Sequence, residues 1–151
     1  MKEVNIYVHT EYAGTFSKGK GVYHVILETM VNTPKGEEAA TLKDVQACED
    51  ITRNKLVLIA VEAALKRMKK PAKIKIYVNS DYVESSFNNW LEQWHEKNFE
   101  GIKYPEQWLQ IYVMSNVHDI EIINTKDTPY SKVQAQEVKI YKEKTNDTKR
   151  V

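Results

Sequence analysis

The chain has one cysteine, Cys48, among 151 residues, and a lone thiol excludes an internal disulfide. A reducing, cytoplasmic setting is the simplest expectation. The four histidines are scattered and no cysteine pair exists, so the spacing of a zinc site is missing. An excess of one charge is missing too: the formal net charge is +1, so any nucleic-acid contact must come from local patches. No apolar run reaches membrane length and no signal-peptide pattern is present, so neither a membrane role nor export is expected. Repeats, low-complexity tracts and internal linkers are also absent.

What remains is an ordinary soluble composition, 42% hydrophobic and 28% charged, long enough to bury a real core. We expect a single domain over residues 1–145 and a disordered polar tail over 146–151. Val4 to Val8 starts a first strand, leading into His9-Thr10-Glu11-Tyr12-Ala13-Gly14 and a loop with Gly19 and Gly21. Val22 to Thr29 reads as a second strand, Asn32 to Gly36 as a turn, and Ala39 to Val45 as a third strand. Thr52 to Lys70 is a helix: Thr52 caps it, Leu56, Val57, Ala60, Val61, Ala64, Leu65 and Met68 recur at helical spacing, and Pro71 stops it.

The stretch Ile76 to Trp94 organises the chain. Ile74, Ile76 and Val78 alternate with Lys73, Lys75 and Tyr77, the period of a half-covered strand. At Asn79-Ser80-Asp81 a helical spacing takes over, with Ser80 and Asp81 as candidate N-caps. Asn79 is thereby placed at the carboxyl edge of a sheet, where ligands often sit. Helices over Glu106 to Ser115 and Ser131 to Lys144 flank a fifth strand at Asp119 to Asn124. Three strands, a helix, a strand, helices, a strand and a helix imply a mixed sheet with helices on its faces.

IYVNSDYVESSFNNWLEQWHEKNF resembles the central segment of ribonuclease H, where a strand ends in Thr-Asp-Ser, Tyr-Val follows, and two tryptophans come later. The element order is similar to that family over nearly the whole chain. The resemblance implies an α/β fold of the ribonuclease H-like class, with a five-stranded sheet of three antiparallel then two parallel strands. Members of that family hydrolyse the RNA strand of an RNA–DNA hybrid with two Mg²⁺ ions held by four carboxylates. Carried over, those four positions fall on His9 in IYVHTEYAG, on Val57 in TRNKLVL, on Asn79, and on Gln136 in AQEV. The last of these admits a slip of one residue, to Ala135 or Glu137. The family's catalytic histidine loop is shortened, with Thr128 as its nearest counterpart. All four carboxylates are then missing, and amides and a valine cannot supply the anionic field of a two-metal cage. His9 is expected to be hydrogen-bonded within the old pocket.

Other carboxylates lie close by in sequence. Glu11, Asp81 and Glu137 could form a rearranged single-ion site, but solvated Glu11 and Glu137 and a helix-capping Asp81 are the preferred reading. Arg53, Asn54, Ser80 and Trp90 are the candidates for contact with nucleic acid. Asn54 matches a family position facing the hybrid's minor groove and Arg53 could reach a phosphate, against the alternative of a plain polar first turn. Trp90 and Trp94 are expected to pack in the core rather than to stack on bases. The clusters Lys66, Arg67, Lys69, Lys70 and Lys139, Lys142, Lys144 read as solvated faces. The expected protein is therefore a non-catalytic module whose partner is an RNA–DNA hybrid, another nucleic acid or a protein. No cofactor is expected, and Mg²⁺ or Mn²⁺ enters only if the rearranged site holds, in which case the chain is a hybrid endonuclease.

Overall fold

Alternation decides the sheet. The computed structural model describes residues 1–150, apart from the side chains of 147–150. In its central part Ala72, Ile74, Ile76 and Val78 are buried while Lys73 and Lys75 are exposed, the pattern of a strand with one dry face. The five strands are β1 (Lys2–Gly14), β2 (Gly19–Thr33), β3 (Gly36–Ile51), β4 (Ala72–Val78) and β5 (Asp119–Asn124). They lie in the order β3-β2-β1-β4-β5. The first three pair antiparallel; β4 joins β1, and β5 joins β4, in parallel. This is the mixed sheet expected from the sequence, with its three antiparallel strands longer at both ends.

Two glycines set how closely the elements approach. Gly14 ends β1 at φ 148°, and a Cβ there would meet the Gly19 Cα at 2.4 Å. A Cβ on Gly21 would lie 2.4 Å from Leu56 Cδ2 and 2.8 Å from the Glu11 carbonyl oxygen. Only a residue without a side chain lets β2 pass this close to the helix above it.

That helix, α1 (Arg53–Lys66), starts as expected: the Lys55 N–H donates to Thr52 Oγ1 at 3.2 Å. It stops at Lys66, short of the expected Lys70, because Pro71 disfavours helical backbone just before it. Its buried residues run nearly all round, from Leu56, Val57 and Leu58 to Ala64 and Leu65. Such a helix needs cover on two sides. The sheet supplies one; the helices that follow β4 supply the other.

Those helices are α2 (Asp81–Ser85), a π-helical turn (Ser86–Trp90), α3 (Leu91–Glu96) and α4 (Pro105–Val117). Trp108 is fully buried; its Nε1 donates to Tyr82 Oη at 3.0 Å and its ring meets Trp94 edge-on. The last helix, α5 (Ser131–Arg150), covers the opposite face of the sheet. Residues 146–151, expected as a disordered tail, fall in its final turn and in Val151, which lies outside the described residues. Among the described residues no helix is long and apolar enough to cross a membrane.

Candidate functional site

β1 and β4 run side by side only as far as Tyr7 and Tyr77. Beyond that point β1 continues to Gly14 against β2 alone, while β4 ends at Val78 and turns into α2. Parallel strands that part at their carboxyl ends leave a crevice, the usual ligand position in an open α/β sheet. Here the crevice is a cleft of about 270 Å³. β1 contributes His9 and Thr10 to its lining, α1 contributes Val57, the end of β4 contributes Asn79, and α5 contributes Gln134.

The outer wall is the loop between β5 and α5, with Lys126, Asp127 and Thr128. Hydrogen bonds hold it in place. The Thr125 N–H donates to the Val78 carbonyl at 2.7 Å, and the Thr128 N–H to Ser131 Oγ at 2.8 Å. The Tyr130 N–H donates to Thr128 Oγ1 at 3.1 Å.

His9, Val57 and Asn79 thus share one cleft although 70 residues separate the first from the last. Gln136 does not join them. It is exposed, as is Ala135, and the residues of α5 at the cleft are Ser131 and Gln134. Helical phase explains the correction. Val138 is fully buried, and the residue one turn before it on the same stripe is Gln134, whereas Gln136 points about 200° away.

Gln134 is 2% exposed and reaches under the sheet. Its Nε2 donates to the Tyr7 carbonyl at 3.0 Å, to the His24 carbonyl at 3.2 Å and to His24 Nδ1 at 3.3 Å. With Nδ1 accepting, the proton of the neutral His24 ring sits on Nε2, which donates to Glu137 Oε2. Burial pushes the His24 ring below its ordinary pKa, with Glu137 opposing, so the neutral form is the one this network uses. Lys43 Nζ completes it with a bond to Glu137 Oε1 at 2.8 Å. Neither Gln134 nor His24 was marked in the sequence; the only signal for Gln134 is its stripe with Val138 and Tyr141.

The same face holds a second polar group. Tyr130 donates to Glu28 Oε2 at 2.5 Å, Tyr7 to Glu28 Oε1 at 3.4 Å, and Tyr7 stacks on Tyr77 with centroids 5.0 Å apart. Burial, with Glu28 adding, pushes the Tyr7 phenol up to about 12. The bond to Glu28 does the same for Tyr130.

The three carboxylates proposed for a rearranged ion site are separated and engaged elsewhere. His9 Nε2 and Glu11 Oε2 are 2.9 Å apart, and Lys142 Nζ bonds Glu11 Oε1 at 2.8 Å. Burial raises the Glu11 carboxyl, but the bonds from Lys142 and His9 outweigh it and the group sits below its ordinary value. Glu137 is held by Lys43 and His24, and Asp81 by Asn124. The solvated reading of Glu11 and Glu137 therefore fails: both are half-buried ion pairs that anchor α5. Asp81 is not the cap of α2 either, because Ser80 Oγ takes the Val83 N–H at 3.1 Å.

None of the four candidates for nucleic-acid contact lines the cleft, though two begin the helix that does. Arg53 and Asn54 are exposed one turn before Val57, and the Arg53 guanidinium lies 5.6 Å from the Tyr12 ring centroid. Ser80 is used in the cap. Trp90 is 49% exposed, which corrects its expected place in the core, while Trp94 packs on Trp108 as expected. The π-helical turn over Ser86–Trp90 inserts an extra residue into the repeat and rotates Trp90 off the packed stripe.

Comparison with known proteins agrees with this architecture. A family model described as RNase H matches residues 2–144. The chain is 32% identical to ribonuclease HI of Helicobacter pylori over 122 residues, which is 80% of this chain and 77% of that one. It is also 32% identical to ribonuclease H of Acetivibrio thermocellus over 132 residues, 83% of each chain. In structure it is similar to the protease-reverse transcriptase of a foamy virus in complex with an RNA/DNA hybrid. The TM-score is 0.68 at 19% identity, spanning 89% of this chain and 19% of that much longer one. The mixed sheet, the parting of β1 from β4 and the match along 2–144 have one common source: this chain belongs to the type 1 ribonuclease H family.

Proposed function

We propose that this protein binds nucleic acid, with an RNA–DNA hybrid as the leading ligand, and does not hydrolyse it. Hydrolysis in the family depends on two magnesium ions, and magnesium takes hard anionic oxygens in near-octahedral geometry. The reading rests on the donors in the cleft. An imidazole (His9), an isopropyl group (Val57) and two neutral amides (Asn79, Gln134) stand at its inner wall, and the Gln134 N–H₂ group is turned to backbone carbonyls. Asp127 is the one carboxylate in the lining. Among the described residues no group of three or more His, Cys, Asp or Glu is placed to hold a metal ion. These residues do not fit a two-magnesium cage.

A catalytic alternative through Glu11, Asp81 and Glu137 would require each to leave its partner, and for Glu11 and Glu137 that means breaking half-buried pairs with Lys142 and Lys43. Binding asks for less. Arg53 and Asn54 present a cation and an amide at the start of α1, and Trp90 offers an exposed ring. The foamy viral protein of similar fold was determined on an RNA/DNA hybrid; that likeness is one of fold.

A labelled RNA–DNA hybrid incubated with the protein in Mg²⁺ and in Mn²⁺ tests both halves of the reading. The expected result is no cleavage with either ion, together with binding that weakens as salt rises. Cleavage that disappears in Glu11→Gln or Asp81→Asn would overturn it in favour of the rearranged site. Absence of binding to any duplex would point to a protein partner instead.

A further inference from the structure

We infer that the cleft between β1 and β4 accepts a backbone phosphodiester directly, without a divalent ion between protein and phosphate. The inference builds on the non-hydrolytic reading above and concerns how the same cleft is used. In a cage of four carboxylates a phosphate meets like charge, and cations must bridge the two. Here the inner wall carries no carboxylate, so that repulsion is gone.

Three residues that line the cleft carry donors with no hydrogen-bond or ionic partner among the described residues: the Asn79 amide, the Lys126 ammonium and the Thr10 hydroxyl. An exposed amide N–H₂, a mobile cation and a half-buried hydroxyl are the groups that proteins use on phosphate oxygens. They come from three separate elements, which surround a small volume rather than a flat surface. At about 270 Å³ the cleft lies below the range of drug-sized sites and suits a compact group. Asp127 is the one opposing charge in the lining; it is exposed and stands beside Lys126. Glu11 lies outside the lining and is neutralised by Lys142.

Two probes on the full chain separate this inference from the reading it builds on. The first is inorganic phosphate, titrated in the presence of EDTA while the side-chain amide of Asn79 is followed by NMR. The second is a fluorescent RNA–DNA hybrid, whose affinity is measured in EDTA and in Mg²⁺ at matched ionic strength. We expect phosphate to shift the Asn79 amide and the hybrid to bind equally, within about twofold, in both buffers. Asn79→Asp, an exposed and nearly isosteric change, should weaken binding in EDTA by about tenfold, as one like charge against a phosphate would. Added Mg²⁺ should restore part of that loss. Hybrid binding that appears only with Mg²⁺ overturns the inference and leaves the binding function standing. So does binding that is indifferent to Asn79→Asp with no phosphate response. If no hybrid binds in either buffer, the function fails, and the phosphate titration alone decides for or against an anion-accepting cleft.

Discussion

The two faces of the sheet are built from alternate residues of the same strands, yet they are held by different physics. On one face Val4 and Ile6 of β1, Val25 and Leu27 of β2 and Ile74 and Ile76 of β4 meet α1 in a predominantly aliphatic core. On the other, Tyr7, His9, Glu11, His24 and Glu28 meet α5 through hydrogen bonds and ion pairs. The apolar face gains from area alone, which is additive and tolerant of small shifts. The polar face gains only when every partner is in place, because an unpaired buried group costs more than a pair contributes. Among the described residues no buried side-chain nitrogen or oxygen lacks a hydrogen bond, so that condition is met. The lesson is that one helix can be positioned by bulk and another by geometry on a single sheet, and the cleft lies where the two regimes meet.

Three changes would break or sharpen this contrast. The largest effect is expected on the apolar side: Leu58→Ala, at a fully buried position in α1, should cost about 3 kcal/mol in urea unfolding. On the polar side Gln134→Leu keeps volume but removes the donor shared by two carbonyls and the His24 ring. A loss of about 1–2 kcal/mol is expected in the same assay; a neutral outcome would mean that α5 is held by area after all. The smallest effect is one of pH. Lys43 holds the Glu137 carboxyl below its ordinary 4.5 against burial, with His24 adding, so the stability it supplies is present above that value and is lost as pH falls through the lowered one. Burial holds the His24 ring below 6.5, so the unfolded chain takes up its proton first and stability also declines as pH drops from there. Thermal midpoints should therefore fall in two stages on acidification, and Glu137→Gln should flatten the lower stage.

Much of the fold was legible because its strongest elements carry their own signals. The fifth strand was read at its observed limits, Asp119–Asn124, and Thr52 and Ser80 both cap helices as their side chains predict. β3 was read too short because its residues are exposed on both faces for most of its length. Its register comes from pairing with β2, not from an apolar pattern of its own. At the site, His9, Val57 and Asn79 could be located by local motif. Gln134 could not, since the phase of α5 depends on a loop whose length differs from the pattern used to align it. Glu11 and Glu137 look solvated in the sequence because Lys142 lies 131 residues from Glu11, and Lys43 and His24 lie 94 and 113 residues from Glu137. Long-range pairing leaves no local trace.

Val57 carries one further consequence. It stands in the cleft yet is 4% exposed, packed among its neighbours on α1. A glutamate introduced there alone would be stripped of water with no cation to meet it, and the chain would lose stability before gaining any chemistry. A single carboxylate at the exposed residue 79 would keep its water and cost little; one at residue 57 would not. Val57 therefore sets an order of tolerance within the cleft: one added charge is accepted at residue 79 and opposed at residue 57.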